Sequence, residues 1–181
     1  SPQGCIMQQG LTSRLSKLLL ISIFLIATGQ LKAAESNTLG SDEPSRYLAE
    51  LKTLYLTTDE RKALLTHSNA LLKTYGLRAA YQVGQANPED LEYQISVGAP
   101  GELRIREERR DASGNVAVRN RGFSVFGMDP YIQYQCPPQG VVCTFAGKAG
   151  GDPWLTILRD PKGAEELAKA LSFLFRNLQK G

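Results

Sequence analysis

The sequence predicts an α+β domain in which two N-terminal helices and a C-terminal amphipathic helix pack on a single antiparallel sheet of five to seven strands. Three observations support this prediction. Apolar residues recur at helical spacing over 44–75, alternate with polar residues over most of 77–158, and return to helical spacing after Asp160. A helix and a sheet that are each apolar on one face can bury those faces against each other.

Two helices are expected at the start of the domain. Pro44 suits a first helical turn, and the apolar residues after it predict a helix over 44–56. Thr57 and Glu60 have the spacing of a capping box, which predicts that a second helix starts there. Gly76 is a natural end for this second helix, because glycine tolerates the backbone conformations that end helices.

Short strands separated by turns are expected after the second helix. Residues 77–83 are the first candidate, and 91–97 shows the cleanest alternation of apolar and polar residues. Ser113-Gly114-Asn115 predicts a hairpin turn between strands near 102–110 and 116–126. The later candidate strands are 131–136, 141–146 and 154–158.

The C-terminal helix has the strongest local signals. Asp160 is a good N-cap and Pro161 is a good first helical residue. One face of this helix is apolar, formed by Ala164, Leu167, Ala168, Leu171, Leu174, Phe175 and Leu178. Such a face must be buried, most simply against the sheet.

The first residues have the pattern of a targeting segment. Arg14 and Lys17 precede an uncharged, largely apolar run of ten residues, Leu18 to Ala27, and small residues follow it. This is the layout of a secretory signal peptide. The run is short for a membrane-spanning helix, which needs about 20 apolar residues. An uncleaved anchor or a buried core helix is the alternative.

The domain organisation follows from that pattern. We expect 1–34 to be a signal-peptide region with a short N-terminal remnant, 35–43 a flexible lead-in, and 44–181 a single α+β domain. The formal charge of +3 comes from three basic residues before residue 35, and the remaining 18 basic residues match 18 acidic ones. A formally neutral domain does not favour nucleic acid as a partner. We also expect no stable transmembrane span in the exported chain.

Cys136 and Cys143 are the two cysteines of the predicted domain. Turn-forming residues separate them, and a hairpin would place them opposite each other. We therefore predict a structural disulfide, which fits a periplasmic or secreted protein. The alternative is half of a zinc site, but further soft ligands are scarce and no C-x-x-C motif occurs.

No residue pattern in the sequence selects a catalytic centre. His67 is the single histidine and is expected on the surface of the second helix. The motifs of common hydrolases, zinc proteases, nucleotide-binding loops and calcium loops do not occur. The glycine-rich segment 147–153 lacks phosphate-loop spacing, and Glu107 and Glu108 would point to opposite faces of a strand. We therefore expect no catalytic residue, no cofactor and no metal site.

Arginines on one predicted hairpin are the candidate ligand-binding residues. Arg104 and Arg106 share a face of one strand, and Arg119 and Arg121 share a face of its partner. If the two pairs face the same way, they form a basic patch suited to carboxylates or phosphates. The alternative is a solvated sheet face on which neighbouring acidic residues neutralise the arginines.

Aromatic residues in neighbouring strands are a second candidate feature. They are Phe123, Phe126, Tyr131, Tyr134 and Trp154. These side chains could line a pocket for a sugar or a peptide. More often such residues form the core beneath a helix.

The sequence as a whole favours a small exported binding module, periplasmic or secreted. It would hold a protein partner, in the manner of an inhibitor, an immunity protein or an accessory protein. One alternative is binding of anionic envelope ligands, such as phospholipid headgroups or acidic glycans, through the arginine-rich hairpin. Another is hydrolysis by carboxylates, with or without His67.

Overall fold

A computed structural model of the chain describes residues 35–146 and 151–181. The predicted signal-peptide region and residues 147–150 of the glycine-rich segment lie outside the described residues. The pattern of residue contacts separates the chain into two compact units, Ser1–Thr38 and Leu39–Gly181. The second unit contains both sheets and the core. Within the described ranges, no helix combines the length and the apolar character needed to cross a membrane.

The described residues form three α-helices, one 3₁₀ turn and six strands. In chain order they are α1 (Glu35–Leu54), α2 (Glu60–Thr74), the 3₁₀ turn (Ala79–Tyr81), β1 (Asp90–Val97), β2 (Glu102–Arg110), β3 (Val116–Ser124), β4 (Tyr134–Gln135), β5 (Val142–Ala146), β6 (Pro153–Leu158) and α3 (Pro161–Gln179). The strands form two antiparallel sheets, ordered β1-β2-β3 and β4-β5-β6. The α+β class is confirmed, but the prediction of one sheet with five to seven strands is wrong.

In the described residues, no strand of one sheet pairs with a strand of the other, and the connection between β3 and β4 contains no strand. Pro130 in this connection has no N–H to give to a ladder. Phe126 and Tyr131, which the sequence placed in or near strands, are 50% and 68% exposed here. The candidate strand 77–83 is reduced to a single bridge between Leu77 and β1, followed by the 3₁₀ turn.

The first helix is longer at its N-terminal end than the sequence predicts. α1 begins at Glu35, so residues 35–43, expected to be a flexible lead-in, are helical. Pro44 consequently lies inside the helix rather than in its first turn. Further along α1, Leu51 is buried in the core and Tyr47 packs partly against it.

The second helix is capped by an aspartate rather than by the expected threonine. The Asp59 carboxylate accepts a hydrogen bond from the Lys62 N–H at 3.1 Å, while the Thr57 hydroxyl accepts one from the Asp59 N–H at 3.1 Å. A carboxylate at this position also interacts favourably with the positive end of the helix dipole. Thr57 therefore orients the cap instead of forming it. The helix ends two residues before Gly76, close to the predicted end.

The C-terminal helix forms as the sequence predicts. The Asp160 carboxylate accepts a hydrogen bond from the Gly163 N–H at 2.9 Å, and Pro161 is the first helical residue. The apolar face is buried throughout. This face packs into one continuous core with α2 and with residues of both sheets.

Aromatic rings join the two sheets beneath α3. The Phe123 ring of β3 lies 5.8 Å from the Trp154 ring of β6, measured between centroids, and the Phe175 ring of α3 lies 5.8 Å from Trp154 and 6.1 Å from Phe123. Tyr134 packs against Phe145 in the second sheet. Five aromatic residues were candidates for lining a pocket. Trp154 lies in the core, and Phe123 and Tyr134 pack against the core. Phe126 and Tyr131 are exposed.

The predicted disulfide between Cys136 and Cys143 is confirmed. The two Cα atoms are 4.3 Å apart, and the β4–β5 register continued by one residue places the cysteines directly opposite each other. Cys143 is fully buried in the core. The disulfide thus ties the two-residue strand β4 to β5, where few ladder hydrogen bonds are available.

Replacing both cysteines by alanine is expected to lower the free energy of unfolding by about 2 kcal/mol, because the disulfide closes a short loop of the unfolded chain. Thermal denaturation followed by circular dichroism should show a melting temperature about 4–8 °C lower. Reduction of the unmodified protein should give a similar shift and leave the double variant unchanged. A stable reduced protein would contradict this account of β4.

Candidate functional site

The register of the β2–β3 hairpin places the two candidate arginine pairs on opposite faces. Ile105 lies opposite Arg121, and Arg104 and Arg106 are its two neighbours along β2. Successive residues of a strand point to opposite faces, so Arg104 and Arg106 share one face and Arg119 and Arg121 share the other. The four arginines do not form one basic patch. Ligand binding by either pair separately stays a prediction.

Arginines on the outer face, the side of the sheet away from the core, are paired with carboxylates of their own strand. The Arg104 Nε atom lies 2.6 Å from a Glu102 carboxylate oxygen. The guanidinium groups of Arg106 and Arg110 both approach Glu108, at 3.0 and 3.7 Å. This is the neutralised, solvated face that the sequence left open as an alternative. Such exposed pairs add at most about 1 kcal/mol each to stability.

The inner face carries a buried carboxylate surrounded by arginines. Glu107 has a side chain that is only 3% exposed, at a position that continues the core-facing row of Leu103 and Ile105. The Arg109 Nε atom lies 2.9 Å from this carboxylate. The remaining two contacts come from β3, with Arg119 at 3.2 Å and Arg121 at 3.6 Å. We call Glu107, these three arginines and Tyr93 the Glu107 cluster.

The electrostatics of the cluster keep Glu107 ionised. Burial alone would raise its pKa, but hydrogen bonds from Arg109 and Tyr93 and the charges of Arg109 and Arg119 bring the pKa below its ordinary value. Burial and the neighbouring Glu107 charge raise the pKa of Tyr93. The Tyr93 hydroxyl therefore stays protonated beside the carboxylate.

The Glu107 cluster also connects the two sheets. The Tyr93 hydroxyl accepts a hydrogen bond from the Thr156 N–H of β6 at 3.2 Å. An Arg121 Nη atom donates to the Trp154 carbonyl oxygen of β6 at 2.8 Å. The Glu107 cluster is therefore a polar contact that holds the two sheets together. The sequence contains a signal for it, because Glu107 interrupts an otherwise apolar alternation, but the alternation does not identify its partners.

The outer edge of β3 is the most open feature of the hairpin. At the two ends of the β2–β3 ladder, the Val125 N–H donates to the Gly101 carbonyl at 2.8 Å and the Asp111 N–H donates to the Asn115 carbonyl at 3.0 Å. Along an antiparallel strand, every second residue hydrogen-bonds to the neighbouring strand. Because residues 115 and 125 bond to the β2 side, the odd-numbered residues of β3 make this ladder. The backbone N–H and C=O groups of residues 116, 118 and 120 therefore point away from β2. Residues 116–120 are exposed on both faces.

His67 is half-buried and hydrogen-bonded rather than a free surface side chain. Its Nδ1 atom lies 2.8 Å from the Tyr55 hydroxyl. Burial lowers the pKa of His67, although the nearby Glu166 charge acts in the opposite direction. Tyr47 and His67 line one groove, and burial raises the pKa of Tyr47 to about 12. Among the described residues, neither a serine hydroxyl nor a cysteine thiol is hydrogen-bonded to His67.

The comparisons with known proteins provide no relative to which a role can be traced. The chain has no significant match to a protein-family model, to a curated protein or to a solved structure. Within 35–146 and 151–181, no group of three or more His, Cys, Asp or Glu side chains is arranged to hold a metal ion. Among the described residues, the open edge of β3 is the candidate binding surface, and the Glu107 cluster connects the two sheets.

Proposed function

We propose that the protein is an exported binding module that holds a partner protein through the open edge of β3. An extended segment of the partner would add a strand to the sheet next to β3. In this binding mode, main-chain hydrogen bonds give affinity and alternate side chains give specificity. A role as an inhibitor, an immunity protein or an accessory protein requires such a surface and no catalytic group.

The exposed edge is the observation that carries the proposal. A long sheet edge presents unpaired donors and acceptors, and proteins usually shorten, cover or charge such edges. β3 is nine residues long, and its first five residues are exposed. Val116 and Val118 on this stretch are 46% and 48% exposed, and valine is a residue that favours pairing with another strand.

The charges of β3 favour an acidic segment as the occupant. β3 contains Arg119 and Arg121 and no acidic residue. The three arginines of the Glu107 cluster face two carboxylates, Glu107 and Glu89, which leaves one positive charge on this side of the hairpin. The Arg119 side chain is 48% exposed, so its remaining N–H groups can reach a carboxylate on the added strand.

Val118→Pro is expected to weaken binding of an acidic, strand-forming peptide at least tenfold. Proline removes the outward N–H of residue 118 but leaves the ladder to β2 intact, because odd-numbered residues make that ladder. The probe is an amidated heptapeptide in which glutamate and valine alternate. Its affinity is measured by NMR titration, through the amide signals of residues 116–120.

The matched control is Val118→Thr, which keeps the N–H and the β-branched shape and should bind as the unmodified protein does. A heptapeptide with lysine in place of glutamate should bind more weakly, since it meets Arg119 with like charge. Equal affinities of the proline and threonine variants would contradict docking at this edge.

A further inference from the structure

The β1 strand lies at the other edge of the first sheet, and its outward backbone groups can be assigned in the same way. The Gly98 N–H donates to the Glu102 carbonyl at 3.1 Å, so even-numbered positions of β1 bond to β2. The odd-numbered positions Leu91, Tyr93 and Ile95 consequently direct their N–H and C=O groups away from β2.

Two of these three positions have partners within the protein. The Leu91 N–H donates to the Leu77 carbonyl at 2.9 Å, in an antiparallel bridge. The Asn69 carboxamide of α2 bonds both backbone groups of Ile95, at 2.7 and 2.9 Å, as an adjacent strand would. Tyr93 lies between them, and in the described part of the chain neither its N–H nor its C=O has a hydrogen-bond partner.

A groove of about 390 Å³ lies over this open position. Thr66, Ala70 and Lys73 of α2 form one wall of the groove, and the β1 edge at Tyr93 forms the opposite side. Gly76 lies at one end of the groove. A Cβ atom at this position would lie 3.1 Å from a carbonyl oxygen of the α2 backbone, so the absence of a side chain lets the backbone at Gly76 pass close to α2. The gap between the partnered positions 91 and 95 spans about 13 Å, the length of three or four extended residues.

The charge of the groove is positive at the Gly76 end. Arg78 is paired with Glu92 at 3.0 Å, so these two charges compensate each other. Lys73 is exposed and lines the groove, and among the described residues no carboxylate lies within ion-pair distance of its ammonium group. A ligand carboxylate at this end would meet the lysine.

The existing bridge indicates one direction for an added strand. Leu77 pairs with Leu91 in the antiparallel sense. An added segment that keeps this sense runs antiparallel to β1, and its C-terminal end then lies at Leu91, beside Gly76. Direction and charge therefore agree, because the C-terminal end of the segment reaches the lysine.

We propose that the α2–β1 groove binds the free carboxyl terminus of an extended peptide chain, one residue pairing with the Tyr93 backbone and the terminal carboxylate facing Lys73. The ligand is a peptide end of about three residues, the length that the groove accommodates. This site is separate from the β3 edge, on the opposite side of the first sheet. It does not depend on the proposed function.

The test uses the full chain and two matched pools of N-acetylated tripeptides, one with free C-terminal carboxylates and one with C-terminal amides. In NMR titrations the carboxylate pool should shift the Tyr93 amide signal, and the amide pool should require at least fivefold higher concentration for the same shift. Lys73→Gln should abolish this preference. Lys62→Gln, an exposed lysine on the same helix outside the groove, should retain it.

A second variant separates blocked binding from altered charge. Ala70→Phe places a ring in the groove from an exposed helix position, and it should weaken the response at least tenfold while leaving the circular dichroism spectrum unchanged. Equal shifts with both pools, or an unchanged response in the phenylalanine variant, would overturn the proposal. Shifts confined to residues 116–120 would overturn it as well, while supporting strand addition at β3.

Discussion

Glu107→Ala is expected to lower the free energy of unfolding by about 3 kcal/mol, because it removes the shared carboxylate of a buried ion cluster. Arg109, Arg119 and Arg121 would then repel one another around an empty centre. The melting temperature, measured by circular dichroism, should fall by about 6–12 °C.

The neighbouring residue supplies a matched control. Glu108 has the same side chain on the same strand, but it lies on the outer face and pairs with two half-exposed arginines. Glu108→Ala should therefore cost less than about 1 kcal/mol. Similar losses for the two alanine variants would show that the buried cluster contributes nothing beyond surface pairing.

The same carboxylate predicts the direction of a pH dependence. The pKa of Glu107 is lower in the folded protein than in the unfolded chain, where it has its ordinary value of about 4.3. Its contribution to stability is therefore fully present above that value and is lost as the pH falls through the lower, folded pKa. Glu107→Gln should lose less stability than the unmodified protein between pH 5 and pH 2, measured by urea unfolding. Parallel stability curves would contradict a role for this ionisation.

Features with local signals were predictable from the sequence. The Asp160 cap, the following Pro161 and the apolar stripe of α3 act within one helix, so short-range spacing is enough to locate them. The same holds for Cys136 and Cys143, because a short turn between strand-forming residues brings them together. Strand pairing is different. The separation into two sheets depends on which distant strands meet, and alternation within a strand does not encode that.

The candidate site shows the same division between local and distant information. The sequence correctly locates an arginine-rich hairpin, but whether Arg104 and Arg119 share a face depends on a one-residue choice of register. Its four candidate arginines therefore do not converge. The open groups of Tyr93 were not predictable at all, because they result from Asn69 and Leu77 covering the positions on either side.

Phe175→Ala is expected to have the largest effect, a loss of about 4 kcal/mol in the free energy of unfolding, because truncating a buried phenylalanine leaves a cavity. Phe175 is 1% exposed, and its ring packs against Phe123 of the first sheet and Trp154 of the second. Trp154 is the single tryptophan, so its fluorescence reports both the packing around it and the unfolding transition in denaturant. The emission of the folded variant should change, because the indole loses its contact with the Phe175 ring.

Phe173→Ala is the matched control for this prediction, since it removes the same ring from the same helix. Phe173 is partly exposed and packs on Tyr47 of α1, away from the junction of the sheets. Phe173→Ala should lower the free energy of unfolding by about half as much as Phe175→Ala, and it should leave the Trp154 emission of the folded protein unchanged. The two sheets share no ladder in the described residues, so they are coupled through the common apolar core, its aromatic contacts and the Glu107 cluster. Phe175→Ala should therefore also speed hydrogen exchange in β6 more than in β2, whereas uniform acceleration would show that the sheets open together.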